Sequence, residues 1–351
     1  PTTTTAPTVT VVMPGTTPAQ ESTATTSSVG GQAAPLAGYG VVADVALPGG
    51  TSRFDYQSLD PLGHRLLIAH LGASEVLVFD TVRQQITHVI PDIAGVHGVL
   101  LVPQRGRIYA AATDKNQVAV IDDQSYAVVA TVPTGRYPDG LAYDQDDGKV
   151  FVSDEAGGGE TVVDVTGNRR LTDIVLGGDV GNTQYDGAAH RVYVAVGARN
   201  QLAAIDPATD RVTGWTDFPG CQYAHGLLLD PSSPIAYVAC DGNATFLSVD
   251  LRAGQVRATQ SVGDGPDVLA LDPALGRLYV AAESGVVSVF HVEGAQLQKV
   301  TEGRVAPSAH TVAVDPATHR IYLPLENVAG KPVLRIMAPE QTPQAPSAGR
   351  S

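Results

Sequence analysis

Hydrophobic residues fall in short runs along most of the chain, and each run ends in a turn rich in Asp, Pro, Gly or Asn. Short apolar runs bounded by turn residues predict β-strands rather than helices. For example, GLLLD at 226–230 ends in an Asp-Pro turn and is followed by AYVAC at 236–240. Such strands are apolar on both faces, which predicts sheets sandwiched between other sheets.

The strand pattern recurs seven times at a spacing of about 42 residues. Each copy contains a turn related to Asp-Pro, then in most copies a basic residue, and then a large anchor residue two positions later. The anchors are Leu67, Tyr109, Phe151, Tyr193, Tyr237, Tyr279 and Tyr322. Four strands in a repeat of this length are typical of a propeller blade. We therefore predict an all-β fold, a seven-bladed β-propeller of four-stranded blades.

The two ends of the chain complete this organisation. The seventh copy supplies three strands, and VVADVALPGG at 41–50 matches the outer-strand pattern, so this N-terminal strand is predicted to complete the last blade and close the ring. Residues 1–38 are rich in Thr, Ser and Pro, which predicts a disordered linker. It is either a stalk that follows a signal sequence or simply a disordered N-terminus. The predicted domains are thus the linker 1–38, the propeller 39–338 and a disordered tail 339–351.

Composition narrows the function classes. The formal net charge is −14 and the sequence pI is near 4.9, which disfavours nucleic-acid binding. No apolar run is long enough for a transmembrane helix. Motifs for phosphate loops, serine-hydrolase elbows and His-Glu-x-x-His zinc enzymes do not occur. We expect a monomer whose partner is a small-molecule ligand or an extracellular protein or glycan.

The repeat resembles the YVTN-repeat propellers, which are related to the bacterial YncE-like proteins. The resemblance rests on Pro-Asp-Gly-Leu-Ala at 138–142, Val-Ile-Asp at 120–122 and Leu-Tyr-Val-Ala at 278–281, and it covers about residues 41–337. It departs at 237–240 and 322–325, where the Asn of the signature is replaced. The resemblance implies the propeller fold and a secreted, periplasmic or surface-tethered location, and it implies no particular activity.

One position in each repeat carries an Asp or His side chain in most copies. In a propeller, the start of the innermost strand lies near the central axis, and this position falls five residues before the anchor Asp. The seven residues there are Asp55, His97, Asp139, Gly181, His225, Asp267 and His310. The ends of the second strands add His70, Asp154, Glu155, Asp241, Glu283 and Glu326 to the same predicted face.

The histidines of this ring fall on blades two, five and seven, which is as even a triangle as seven blades allow. Three converging imidazoles predict a site for a divalent metal (Zn, Cu, Fe or Mn) on His97, His225 and His310. We assign candidate catalytic roles in proton transfer to Asp55, Asp139, Asp267 and Glu283. Arg53, Arg136, Tyr137 and Tyr223 are predicted at the rim of this site. The alternative interpretation is that these polar residues only hold backbone turns.

The two cysteines and three further histidines each allow a structural or functional interpretation. Cys221 and Cys240 form either a disulfide, a thiolate ligand of the metal site, or two unpaired thiols. His64, His190 and His319, each four residues after an anchor Asp, are predicted to face solvent on the opposite side. Three functions therefore stay open. They are an extracytoplasmic metal and small-molecule site, catalytic as a hydrolase, lyase or oxidoreductase; a non-catalytic protein or glycan scaffold; and a metal-sequestering or metal-delivery protein.

Overall fold

The computed structural model describes residues 34–340. The predictions for residues 1–33 and 341–351 lie outside this range. The described chain is all-β, and its strands form seven separate four-stranded antiparallel sheets. In the part of the chain that the structure describes, no helix is long and apolar enough to cross a membrane.

The strands follow the repeat. The first, β1 (Tyr39–Ala46), precedes blade 1. Blade 1 comprises β2 (Gln57–Asp60), β3 (Arg65–His70), β4 (Glu75–Asp80) and β5 (Gln85–Ile90). Blade 2 comprises β6 (Val96–Val102), β7 (Arg107–Ala112), β8 (Gln117–Asp122) and β9 (Val128–Pro133). Blade 3 comprises β10 (Pro138–Asp144), β11 (Lys149–Asp154), β12 (Gly159–Asp164) and β13 (Arg169–Val175). Blade 4 comprises β14 (Thr183–Asp186), β15 (Arg191–Val196), β16 (Gln201–Asp206) and β17 (Arg211–Asp217).

The last three blades repeat the arrangement. Blade 5 comprises β18 (Ala224–Leu229), β19 (Ile235–Cys240), β20 (Thr245–Asp250) and β21 (Gln255–Ser261). Blade 6 comprises β22 (Pro266–Asp272), β23 (Arg277–Ala282), β24 (Val286–Glu293) and β25 (Gln296–Arg304). Blade 7 contains β26 (Ala313–Asp315), β27 (Arg320–Val328) and β28 (Lys331–Pro339). Single turns of 3-10 helix occur at Leu71–Ala73, Pro103–Arg105, Thr113–Lys115, Glu155–Gly157, Gly197–Arg199 and Asp241–Asn243.

The fourth strand of blade 7 is β1. It pairs antiparallel with β28, with Val45 opposite Leu334 and Asp44 opposite Arg335. The guanidinium of Arg335 donates to both carboxylate oxygens of Asp44, at 2.8 and 2.6 Å. A bidentate pair of this kind fixes the register as well as adding attraction.

The hydrophobic core is divided among the seven interfaces between neighbouring blades. Seven buried clusters form, and each draws its main members from two adjacent blades, including the cluster between blades 7 and 1. The second and third strands of each blade are therefore almost entirely buried, as in β19, whereas outer strands such as β21 alternate between exposed and half-buried residues. This is the pattern that sandwiched sheets require.

Ordered contacts begin before β1. Leu36 is buried between blades 6 and 7, and the backbone N–H of Arg304 donates to the carbonyl of Ala34. The hydroxyl of Tyr39 donates to that of Tyr279 within the same cluster. Residues 34–38, which the sequence assigns to the linker, thus pack on blades 6 and 7.

Cys221 and Cys240 form a disulfide with an S–S distance of 2.06 Å. This confirms the first of the three interpretations and contradicts the thiolate ligand, because both sulfurs are covalently occupied. The bridge joins the segment that enters blade 5 to the end of β19. It therefore holds the backbone immediately before His225.

Candidate functional site

Five of the seven ring residues of the sequence repeat line a polar pocket near the propeller axis. The pocket has a volume of about 210 Å³. Arg53, His97 and His225 line it together with three tyrosines. Six carboxylates also line it, namely Asp55, Asp139, Glu155, Asp241, Asp267 and Glu283. Acidic groups thus outnumber basic ones, so the pocket attracts cations.

Close backbone contacts between neighbouring blades bring these residues together. A Cβ atom on Gly226 would lie 2.1 Å from the carbonyl oxygen of Asp267, and one on Gly98 would lie 2.0 Å from that of Asp139. Only glycine permits such an approach. The innermost segments of blades 6 and 7 also hydrogen-bond directly, from the N–H of Val268 to the carbonyl of His310.

His310 adjoins Asp55 and Asp267 of this pocket and is 1% exposed. Its Nδ1 is 3.0 Å from the carbonyl oxygen of Ser308, so Nδ1–H donates and Nε2 carries the lone pair in the neutral ring. Nε2 is buried and has no hydrogen-bond partner within residues 34–340. A buried acceptor without a partner is unfavourable unless another group occupies the space.

Two carboxylates face this ring. One donor atom from each of Asp55, Asp267 and His310 lies within 4.8 Å of the others. Asp55 and Asp267 are buried, at 2% and 6% exposure. The arrangement offers one nitrogen and two carboxylate groups, a donor set suited to Zn²⁺, Mn²⁺ or Fe²⁺.

His97 has the same backbone support but a different partner. Its Nδ1 lies 2.9 Å from the carbonyl oxygen of Gly95, while the Tyr137 hydroxyl lies 3.0 Å from Nε2. A second donor group, formed by Asp55, His97 and Asp139, shares Asp55 with the first. Because the Tyr137 hydroxyl already hydrogen-bonds to Nε2, the lone pair of this nitrogen is not available to a metal ion in the observed conformation.

His225 forms an ion pair with Asp267, with 3.4 Å between Nε2 and Oδ1. Burial alone would lower the pKa of His225, but Asp267 and the neighbouring carboxylates outweigh it and raise the pKa to about 10. Burial likewise opposes ionisation of Asp267, yet the His225 imidazolium holds the pKa of this carboxyl below its ordinary value. At neutral pH the two residues are therefore a charged pair.

The other two ring carboxyls have more distant basic partners, with Arg53 and His97 each 3.8 Å from Asp55. Burial, reinforced by the charges of Asp139 and Asp267, raises the pKa of Asp55 well above its ordinary value. Burial also raises the pKa of Asp139, whose Oδ2 accepts a hydrogen bond of 3.1 Å from the Tyr56 hydroxyl. Carboxyls packed this closely and only partly compensated by basic groups are stabilised by a shared proton or by a cation.

Two tyrosines at the rim have strained backbones. Tyr137 and Tyr223 adopt φ values of 61° and 56°, a left-handed conformation that is rare for bulky residues. Each lies two residues before a ring residue. The Tyr223 hydroxyl reaches Oε1 of Glu155 at 3.3 Å, and its ring stacks near His225. The strain places both phenol groups in the pocket.

The structure brings together most of the residues that the sequence selects. The predicted catalytic carboxylates Asp55, Asp139, Asp267 and Glu283 line one pocket, as do His97 and His225. His310 lies beside Glu283, with 3.6 Å between Nδ1 and Oε2. Among the described residues, however, each of the compact donor groups contains only one histidine. The three imidazoles are therefore spread around the ring rather than gathered at one point.

Other residues expected on this face have separate roles. His70 is fully buried, stacks on Phe54 and contacts Glu75 through Nδ1. Asp154 is buried within blade 3, where the Thr161 hydroxyl donates to its Oδ2 at 2.7 Å. Glu326 does not line the pocket. The contacts of His70 and Asp154 thus lie within or beside their own blades.

Tyr56 is a site residue that the sequence analysis did not select. It occupies the position four before the anchor Asp, where blades 2, 3 and 5 have glycine. A tyrosine at a position that otherwise favours glycine was an available signal. Its hydroxyl links blade 1 to Asp139 of blade 3 across the pocket.

Asp154 gives a stability prediction. Burial raises its pKa from 3.8 to about 6, only partly offset by the Thr161 hydrogen bond. Because the folded-state pKa is the higher one, the contribution of Asp154 to stability is complete below about pH 4 and is lost as pH rises through 6. We expect Asp154→Asn to raise the free energy of unfolding at pH 7.5 by up to about 3 kcal/mol.

Urea denaturation at pH 4.5 and pH 7.5 checks this prediction. The free energy of unfolding of Asp154→Asn should exceed that of wild type by a small amount at pH 4.5 and by a large amount at pH 7.5. Exposed Asp264→Asn is the control and should show no such pH dependence. An equal difference at both pH values would contradict the raised pKa.

Comparison with known proteins agrees with the architecture. No family model matches the sequence. Two curated relatives, the uncharacterized protein YncE of Salmonella typhimurium and of Salmonella typhi, are each 41% identical over 96 residues. The match covers 27% of this chain and 27% of each relative, so it spans about a quarter of their length.

Solved structures share the fold over most of the chain. A chain from Kuenenia stuttgartiensis hydrazine synthase superposes with a TM-score of 0.70 at 16% identity, covering 84% of this chain and 98% of that one. A chain of the mitotic checkpoint complex superposes with a TM-score of 0.73 at 11% identity, covering 94% and 98%. At such low identity the likeness concerns the fold alone. The chain is a seven-bladed β-propeller with local sequence similarity to the YncE proteins.

Proposed function

We propose that the axial pocket binds a divalent metal ion through Asp55, Asp267 and His310, and that a small polar ligand binds above it. The observation that carries the proposal is the buried Nε2 of His310, which has no hydrogen-bond partner in the described chain, on a ring that forms a compact donor group with two buried carboxylates. Metal-binding histidines usually donate their other ring N–H to a carbonyl or carboxylate, as His310 does to Ser308.

The electrostatics of the pocket support a cation at this place. Asp55 has a raised pKa because its burial and its neighbours Asp139 and Asp267 oppose its charge. The guanidinium of Arg53 offsets only part of this, since it lies 3.8 Å from Asp55 and is shared with Glu283 at 2.7 Å. A divalent ion between Asp55 and Asp267 would neutralise both carboxylates.

We place the ion in the Asp55–Asp267–His310 group rather than the Asp55–His97–Asp139 group. In the second group the Tyr137 hydroxyl occupies the lone pair of His97 Nε2. Binding there would require that hydrogen bond to break. His97 and Tyr137 are better suited to contact the ligand, since both line the open part of the pocket.

The ligand of this pocket is small and polar. A volume of about 210 Å³ suits a molecule of a few non-hydrogen atoms beyond the metal. A bound divalent ion would supply Lewis acidity and a polarised water. The His97–Tyr137 hydrogen bond and Glu283 provide groups that hold or accept protons beside it. Turnover as a hydrolase, lyase or oxidoreductase is a further expectation, to be tested after metal binding.

We also propose an extracytoplasmic location. The Cys221–Cys240 disulfide supports it, because disulfides persist mainly in oxidising compartments. Fractionation of the native host followed by thiol labelling tests this. The proposal requires the protein in a non-cytoplasmic fraction with both cysteines resistant to alkylation.

Metal binding is tested by equilibrium dialysis of untagged, EDTA-stripped protein against Zn²⁺ or Mn²⁺, followed by elemental analysis. We expect His310→Gln to lose about one equivalent relative to wild type. Affinity at the axial site should fall at least about 100-fold, because even residues that only support metal ligands contribute 10–100-fold. His97→Gln should retain the ion and bind it less than about 10-fold more weakly.

The control is His64→Asn, which removes an exposed histidine from the opposite side of the propeller. Asparagine accepts the left-handed backbone at this position, where φ is 55°. This variant should bind as wild type does. If His310→Gln kept its full metal content with a native circular dichroism spectrum, the axial metal site would be refuted.

A further inference from the structure

A second polar cluster lies on the opposite side of the propeller, between blades 3 and 4. It consists of Asp144 and Asp146 in the β10–β11 turn and His190 in the β14–β15 turn. One donor atom from each lies within 4.8 Å of the others. Asp147 approaches the same place, with its Oδ2 3.5 Å from Nε2 of His190.

Asp144 is the central member and is 0% exposed. Its Oδ1 accepts the backbone N–H groups of Asp146 and Asp147, at 2.9 and 3.2 Å, and so holds the turn. Its Oδ2 is also buried and accepts no hydrogen bond from the described residues. A buried carboxylate oxygen that accepts nothing is unfavourable without a cation or proton beside it.

The equivalent turn of blade 6 shows what a closed version of this cluster looks like. There Oδ1 of Asp272 accepts the N–H groups of Ala274 and Leu275, as in blade 3. Its Oδ2 is bonded to Nδ1 of His319, at 2.7 Å. His319 stands at the same repeat position in blade 7 as His190 does in blade 4. Both histidines were expected to face solvent, but both lie against the preceding blade.

In blades 3 and 4 the equivalent residues, Asp144 and His190, are not hydrogen-bonded to each other in the described structure, and polar groups surround them. His190 Nε2 is buried without a hydrogen-bond partner in the described structure, as is Asp144 Oδ2. Asp146 and Asp147 stand where blade 6 has Ala274 and Leu275. Tyr185 adds a hydroxyl where blade 7 has Val314, and its single proton goes to Oδ2 of Asp146. The same hydroxyl lies close to Asp144, but one proton cannot serve both carboxylates at once.

We propose that Asp144, Asp146 and His190 bind a divalent first-row transition-metal ion such as Zn²⁺ or Mn²⁺ that bridges blades 3 and 4. Two carboxylates and one imidazole match the donor preferences of these ions, whereas Ca²⁺ prefers oxygen donors alone. Donors bound to one ion at 2.0–2.2 Å lie at most about 4.4 Å apart. The donor atoms lie within 4.8 Å of one another, so any adjustment that binding requires is small.

The ion links the β10–β11 turn of blade 3 to the β14–β15 turn of blade 4. We expect binding to raise the thermal midpoint of the whole chain, because a ligand that binds only the folded state stabilises it. The site is independent of the axial pocket, since the two clusters share no residue.

The test uses the full chain carrying His310→Gln, so that the axial site is disabled, and the probe is Zn²⁺ or Mn²⁺ alone. We expect equilibrium dialysis to give about one bound equivalent. Thermal unfolding should show a higher midpoint with the ion than without it. Adding His190→Asn should abolish both, because asparagine suits the left-handed backbone at φ 51° but lacks the imidazole. Adding His319→Asn is the matched control: it lowers the metal-free midpoint because Asp272 loses its partner, but it should leave the bound equivalent and the rise in midpoint on adding the ion unchanged.

Asp146→Asn provides a second variant at an exposed position that does not hold the turn. It should weaken binding at least about 10-fold. The inference is overturned if the His310→Gln protein binds neither ion. It is equally overturned if His190→Asn and Asp146→Asn both retain it, or if Ca²⁺ binds more tightly than Zn²⁺ and Mn²⁺. A failure of the axial site alone gives a different result, in which wild type binds one equivalent that only the turn variants remove.

Discussion

Asp267→Asn lowers the free energy of unfolding at pH 7 by about 3 kcal/mol in metal-free protein. His225 is charged at this pH, since the carboxylates around it raise its pKa to about 10. Removing one partner of a buried ion pair typically costs 3–5 kcal/mol, because the other charge is left without a counter-ion. Relief of the repulsion between Asp267 and Asp55 offsets part of this loss.

Urea denaturation in the presence of EDTA measures the effect. Asp264→Asn is a matched control three residues away on the exposed loop, and it should change stability by less than about 0.5 kcal/mol. NMR titration of His225 gives an independent reading, and its pKa should fall in Asp267→Asn. A variant as stable as wild type, with the His225 pKa unchanged, would show that the pair is not formed.

The second large effect is expected from the disulfide. Replacing Cys221 and Cys240 by serine should lower the free energy of unfolding by about 3 kcal/mol, the value typical for a bridge that closes a loop of this size. The bridge also fixes the segment that places Tyr223 and His225. We therefore expect weaker metal binding in the variant, in addition to the lower stability.

Unfolding of wild-type protein with and without reductant separates the bond from the substitutions. The free energy of unfolding of the oxidised protein should exceed that of the reduced protein and that of the double serine variant by a similar amount. Equal stability of the oxidised and reduced proteins would contradict a structural role for the bridge.

The fold was predictable because a propeller repeats one local pattern. Each anchor residue, such as Tyr237 or Tyr279, meets the same demand for a large buried side chain between blades. Seven copies make the pattern independent of any single substitution. The unusual pairing of β1 with β28 was also visible, since the last repeat lacks an outer strand of its own.

The candidate site was predictable in position but not in detail. The repeat aligns Asp55, His97 and Asp267, because backbone register alone carries them to the axis. Which atoms meet depends on side-chain conformation, which the repeat does not encode. The left-handed residues at 95 and 308 turn their carbonyls toward Nδ1 of His97 and of His310. In each ring Nδ1 therefore donates its proton and Nε2 carries the lone pair.

The turn cluster was missed for a related reason. His190 and Asp144 are 46 positions apart and belong to different repeats, so their contact appears only when neighbouring blades are packed. The available signal was a comparison of equivalent turns. Blade 3 has two additional acids where blade 6 has Ala274 and Leu275.

The most direct test of the axial metal site is an anomalous diffraction map from crystals of the full chain soaked in Mn²⁺ or Zn²⁺. The account predicts a peak near the propeller axis, about 2.0–2.2 Å from His310 Nε2 and from carboxylate oxygens of Asp55 and Asp267. The peak should be absent from His310→Gln crystals treated identically. A map with no axial peak, or a peak that persists without His310, would contradict the central claim.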